Sequence, residues 1–227
     1  MKYIGIITAI DEEFSIIKNI LSNSKEIKIY NITCLLSTIG NKNIILTKCG
    51  VGKVNSARTA QILIDKFNIE YIINIGVAGG LKDYINIGDI VIGEKLAQHD
   101  FNITPFNHPM GYINKELGIY MYSNKNLVKK CQDIQIDNTN IYKGTIVSGD
   151  LFCTKEKHKI NILNEFNADC VEMEGASIAQ VCTLCNIPFI IIRSISDKPN
   201  GSNQNDYKEF VEASSKKLLE VIKNILK

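Results

Sequence analysis

At 227 residues the chain can bury one sizeable core, and with 45% hydrophobic and 22% charged residues it has ordinary globular composition. A net charge of +2 argues against a nucleic-acid or membrane surface, and no run reaches the roughly 20 apolar residues of a membrane helix. Seven cysteines in mostly apolar contexts, with no signal peptide, predict reduced thiols in a cytosolic (cytoplasmic) protein. Cys182 and Cys185 form a C-x-x-C without a second pair and read as core residues of a helix, and the three histidines lack metal-ligand spacing. Neither a metal nor any other cofactor is expected.

The Ile-rich run 3–10 (YIGIITAI) predicts a buried strand, and DEEFSIIKNI after it a helix whose first-turn acids complement the helix dipole. Residues 26–49 read as short strands around the turn GNKN, 52–67 as a helix, and 71–80 (YIINIGVAGG) as a buried strand ending in glycines. A strand is expected over 89–100, then a long irregular loop over 101–124. NLVKKCQDI predicts a short helix, 142–150 a strand, 156–166 a helix, DCVEM a strand and EGASIAQVCTLCN a helix. The last buried strand is expected over 188–197, and from residue 206 an amphipathic helix with Phe210, Leu218, Val221, Ile222 and Ile225 on one face. This alternation implies an α/β fold of one domain, residues 1–227, with a sheet covered on both faces.

Ligands in open α/β sheets gather beyond the carboxyl ends of strands. Here those ends carry Asp11-Glu12-Glu13, the glycines of GVAGG, Glu172-Met173-Glu174, and Asp197. Convergent carboxylates without histidine or metal suit acid–base work at an acetal-like carbon, where one carboxylic acid protonates the leaving group and one carboxylate activates water. Simpler readings stand beside this one. Asp11 and Glu12 fit solvated helix-start acids, GVAGG a tight turn, and Asp197 a turn residue before Lys198-Pro199-Asn200-Gly201.

The motifs IGIITAIDEEF, GVGKVNSA, INIGVAGGL, VSGDLF, VEMEGASIAQVC and IIIRSISD, in this order and spacing, resemble the 5′-methylthioadenosine/S-adenosylhomocysteine nucleosidases of the purine/uridine phosphorylase superfamily. The resemblance runs from residue 2 to the final helix. It implies a three-layer α/β/α fold with a twisted mixed central sheet, and hydrolysis of the N-glycosidic bond of adenine nucleosides. By the same resemblance Glu13 is the base that activates water, Asp197 the acid that protonates adenine N7, and Glu174 the ligand of the ribose hydroxyls. Met173 is implied to pack on the sugar, with Glu172 in support. Phe152 is implied to stack on adenine, with the Cys153 backbone and Ser196 at its edge, and Ile10, Val51, Val77 and Tyr207 to line the pocket. For Met173 and Glu174 both to reach the sugar, the strand must break between them.

Segment 101–114 is implied to lend Ile103 and Phe106 to the site of a neighbouring subunit in a homodimer, while His108 stands where an aromatic residue would be expected. Arg193 reads as a clamp on the site's carboxylates, as a solvent-facing residue or as a structural pair. Two alternatives share the fold. A phosphorylase would need cationic clamps for phosphate, yet the chain has only Arg58 and Arg193 and carries Val77 in the glycine turn. A nucleosidase acting on 6-amino-6-deoxyfutalosine would use the same residues.

Overall fold

The Ile-rich N-terminal run forms β1 (Tyr3–Thr8), between parallel partners β4 (Lys42–Lys48) and β5 (Ile69–Gly80). The structure is a computed structural model that describes residues 1–199 and 203–227. The turn expected at Lys198–Gly201 lies partly outside those residues. Beyond β4 the sheet continues through antiparallel β3 (Ile32–Ile39) and β2 (Ser22–Ile29), with the expected turn joining β3 to β4 at Gly40, φ +60°.

On its other side β5 pairs with two strands, β10 (Phe189–Asp197) in parallel and the short β9 (Cys170–Glu172) antiparallel. β6 (Ile90–Gln98) pairs with β10, and β8 (Ile141–Ser148) lies between β6 and β9. The pairings close into a ring, β5–β10–β6–β8–β9–β5, with β7 (Met121–Tyr122) added on the outside of β6. The mixed sheet matches the expectation. Its partial closure is new, and it brings the ends of β5, β9 and β10 onto one rim.

Both faces of the sheet are covered at β1 and β10, which is why these strands read as continuous apolar runs. On β1 and β10, Ile4, Ile6, Ile190 and Ile192 pack with Ile17, Val128, Leu218, Val221, Ile222 and Ile225. These last six come from α1 (Asp11–Lys18), α3 (Lys125–Gln132) and α6 (Asn203–Leu226). Ile7, Ile191 and Ile195 point the other way, to Ala60 and Leu63 of α2 (Lys53–Lys66) and Ala176, Ala179 and Cys182 of α5 (Gly175–Leu184). Each fully buried isoleucine contributes about 1.5–3 kcal/mol. Phe210, expected on the apolar face of α6, is only half-buried.

A third cluster joins Ile162 and Phe166 of α4 (Glu156–Phe166) to Val147 and Val171. Segment 101–124 is irregular as expected, apart from a 3₁₀ turn at Thr104–Phe106, a bridge between Asn114 and Gly118, and β7. Among the described residues no helix is long and apolar enough to cross a membrane.

Candidate active site

Where β1 ends, Ala9 and Ile10 lead into α1, and Glu13 stands one turn in. Its neighbours Asp11 and Glu12 are exposed, and Asp11 pairs with Lys48 at 2.5 Å. Glu13 is only 4% exposed and folds back on the strand end. Its Oε2 accepts the N–H groups of Ala9 (2.8 Å) and Ile10 (3.3 Å), and its Oε1 that of Val77 (3.0 Å) on β5. The preceding residue of β5 has to be glycine. A Cβ at Gly76 would lie 2.7 Å from Glu13 Oε1 and 2.8 Å from Arg193 Nη1.

The pair Glu172 and Glu174 is explained by the end of a strand. β9 stops at Glu172, and Glu174 is already the N-cap of α5, so strand alternation no longer separates Met173 from Glu174. Glu172 is the fastening point. Its Oε2 accepts Arg193 Nε (3.1 Å) and Nη2 and the N–H groups of Glu174 (3.0 Å) and Gly175 (2.8 Å), while its Oε1 accepts the Ser148 hydroxyl. These five hydrogen bonds hold Glu172 in place where it lines the rim.

Arg193, 1% exposed, also donates from Nη2 to Asn74 Oδ1 at 2.6 Å, and Asn74 in turn donates to the Ile7 carbonyl at 2.9 Å. A buried guanidinium requires such partners. Arg193 is therefore paired inside the protein and does not face solvent. Glu174 Oε1 accepts the Gly52 N–H (2.9 Å) at the start of α2, and its Oε2 lies 3.9 Å from Arg193 Nη2.

Three carboxylates thus share one cation. Burial raises the Glu13 carboxyl above its ordinary value, opposed by Arg193 and the three backbone N–H groups. Burial, and next the charge of Glu172, raise Glu174 likewise, against Arg193 and the Gly52 N–H. Burial alone would lower Arg193, but Glu172, Glu174 and Glu13 together raise it, so it stays charged.

β10 ends at Asp197, 2% exposed, whose Oδ1 accepts the Ser196 hydroxyl at 2.8 Å. Its Oδ2 faces Gly79, where a Cβ would lie 3.2 Å away.

These groups surround a cavity of about 380 Å³, within the range of small-molecule sites. Glu13, Asp197, Glu172, Met173, Glu174, Phe152, Cys153, Val77, Ile10, Val51, Ser196 and Tyr207 all line it. The Phe152 and Tyr207 rings meet edge-on with centroids 5.6 Å apart. Burial, then the charge of Asp197, push the Cys153 thiol up to about 11, which leaves it protonated and chemically quiet. Ile103 and Phe106 do not line this cavity, and Phe106 is 75% exposed.

A family model described as the Phosphorylase superfamily matches residues 3–227. A 5′-methylthioadenosine/S-adenosylhomocysteine nucleosidase of Staphylococcus haemolyticus is 34% identical over 226 residues, covering 99% of each chain. The chain belongs to this nucleosidase family.

Among solved structures, the family member from Neisseria meningitidis in complex with methylthio-immucillin-A superposes with a TM-score of 0.96 at 29% identity, over 100% of this chain and 99% of that one. A futalosine hydrolase mutant of Helicobacter pylori gives a TM-score of 0.93 at 30% identity, over 99% and 98%. The nucleosidase fold also brings to the cavity Ala9, Leu151, Gln204 and Lys208, which sequence reasoning missed. Gln204 stands three residues before Tyr207 on the first turns of α6, so helical spacing was the available signal for it; Lys208, directly after Tyr207, carried none.

Proposed function

We propose that the protein hydrolyses the N-glycosidic bond of 5′-methylthioadenosine, S-adenosylhomocysteine and 5′-deoxyadenosine, releasing adenine. The observation that carries this reading is one cavity walled by Glu13, Glu174 and Asp197, each at most 6% exposed. Adenine stacks on Phe152, and Glu174 accepts the ribose hydroxyls. The C1′–N9 bond breaks with its electron pair going to the base, while Asp197 gives a proton to N7. Water adds to C1′ and gives its proton to Glu13. The excess of carboxylates over cations favours the positive charge that develops on the sugar, and it disfavours a phosphate dianion as nucleophile. A raised Glu13 carboxyl suits a base working near neutral pH.

The test is incubation with 5′-methylthioadenosine, with and without phosphate, followed by chromatography. Adenine and free 5-methylthioribose, independent of phosphate, are expected. A 1-phosphorylated sugar formed only with phosphate would make the protein a phosphorylase.

The futalosine hydrolase likeness supports 6-amino-6-deoxyfutalosine as a second substrate of the same residues. The exposed Phe106 on segment 101–114 supports a homodimer in which this segment, with Ile103, completes the neighbour's site.

A further inference from the structure

Outside the residues assigned above, one cluster of charged groups ties three elements of the rim together. Asp100, just past the end of β6, accepts Lys53 Nζ on Oδ1 at 2.5 Å and the Asp150 N–H on Oδ2 at 2.9 Å. Asp150 Oδ1 in turn accepts the Lys53 N–H at 2.8 Å, and Lys53 Nζ also donates to Gln98 Oε1 at 3.0 Å. Lys53 is the first residue of α2, and the N–H immediately before it, that of Gly52, is the one that holds Glu174 Oε1. Gly52 has φ +101°, and a Cβ there would come 3.1 Å from Asp150 Oδ1, so the backbone runs tight against the clasp. The Lys53 and Asp100 side chains are 16% and 30% exposed, which shields the pair from full solvent screening.

We propose that Asp100 is a positioning residue for ribose recognition, acting through Lys53 and Asp150 to fix the Gly52 N–H that aims Glu174. The inference rests on the ribose role proposed for Glu174. Without the clasp the start of α2 is free to shift, and a displacement of about 1 Å is enough to misalign a preorganised group.

The test compares 5′-methylthioadenosine with its 3′-deoxy analogue, which offers Glu174 one hydroxyl fewer. Wild-type cleavage of 5′-methylthioadenosine tests the nucleosidase reading by itself. For Asp100→Ala the expected result is a rise in KM of about tenfold on 5′-methylthioadenosine with kcat changed less, and a rise of threefold or less on the 3′-deoxy analogue. Asp100→Asn, which keeps an acceptor for the Asp150 N–H, should fall between wild type and Asp100→Ala. Lys53→Met, which cuts the clasp from the other side, should show the same dependence on the hydroxyl and serves if Asp100→Ala fails to fold. Equal rises on both nucleosides, or none, would overturn the proposal.

Discussion

Along the inner wall of the cavity, Glu13, Glu172, Glu174 and Asp197 are at most 6% exposed, held by backbone N–H groups, by Arg193 or, at Asp197, by the Ser196 hydroxyl. At the lip, Val51, Leu151 and Phe152 are apolar and leave 48%, 46% and 38% of their surface open. The wall is charged and closed, whereas the lip is open and apolar apart from Gln204 and Lys208. Under the proposed mechanism the difference separates two tasks. Groups that meet developing charge need fixed positions and low dielectric, whereas groups that bind a flat purine need accessible area.

The comparison is most directly broken at the wall. Glu13→Gln and Asp197→Asn should each lower kcat by about 10²–10⁴-fold, as expected for loss of a general base or acid, with nucleoside binding kept within about tenfold. Single-turnover kinetics beside equilibrium binding would check this, and near-normal turnover in either variant would remove that residue from the chemistry. At the lip the effect should be smaller and of another kind. Phe152→Ala should lose about 1–3 kcal/mol of base stacking, seen as a higher KM with kcat nearly unchanged. A fall in kcat with KM constant would place Phe152 with the wall instead.

The last effect is on stability rather than turnover. Glu174 is raised from 4.5 to about 8, so the folded chain holds this proton more tightly than the unfolded one. That contribution is fully present below pH 4.5 and is lost as pH rises through about 8. Glu174→Gln removes the dependence, and should therefore gain on wild type between pH 5 and 8, by about 3 kcal/mol at about 1.4 kcal/mol per pKa unit. Thermal melts at the two pH values measure it. An unchanged difference would mean that Arg193 already holds Glu174 ionised at pH 5.

Much of this was legible in the sequence because local pattern and strand-end chemistry agreed. Glycines after an apolar run, acids at a helix start, and a carboxylate pair where a strand meets a helix each carry their physical reason within a few residues. Arg193 was half legible. A cation inside FIIIRSISD must have a carboxylate partner, but the sequence does not say that Glu172, 21 residues away, is the one. Lys53 and Asp100 were not legible, since they are separated by 47 residues and each reads alone as a surface charge. The ring of strands escaped for a similar reason. It closes through β9, which has 3 residues and shows no periodicity of its own.

That ring has a consequence for association. A strand bonded on both sides offers no template for a foreign chain, and β5, β10, β6, β8 and β9 are all bonded on both sides. Among the described residues, the long strand left with a free side is β2, which pairs only with β3 and carries Lys25, Glu26 and Lys28 in a largely exposed segment. Charged side chains on such an edge discourage strand-to-strand aggregation. Self-association by extending the sheet is therefore disfavoured, and ordered contact between two copies falls to helices and loops, whose side chains can choose their partner.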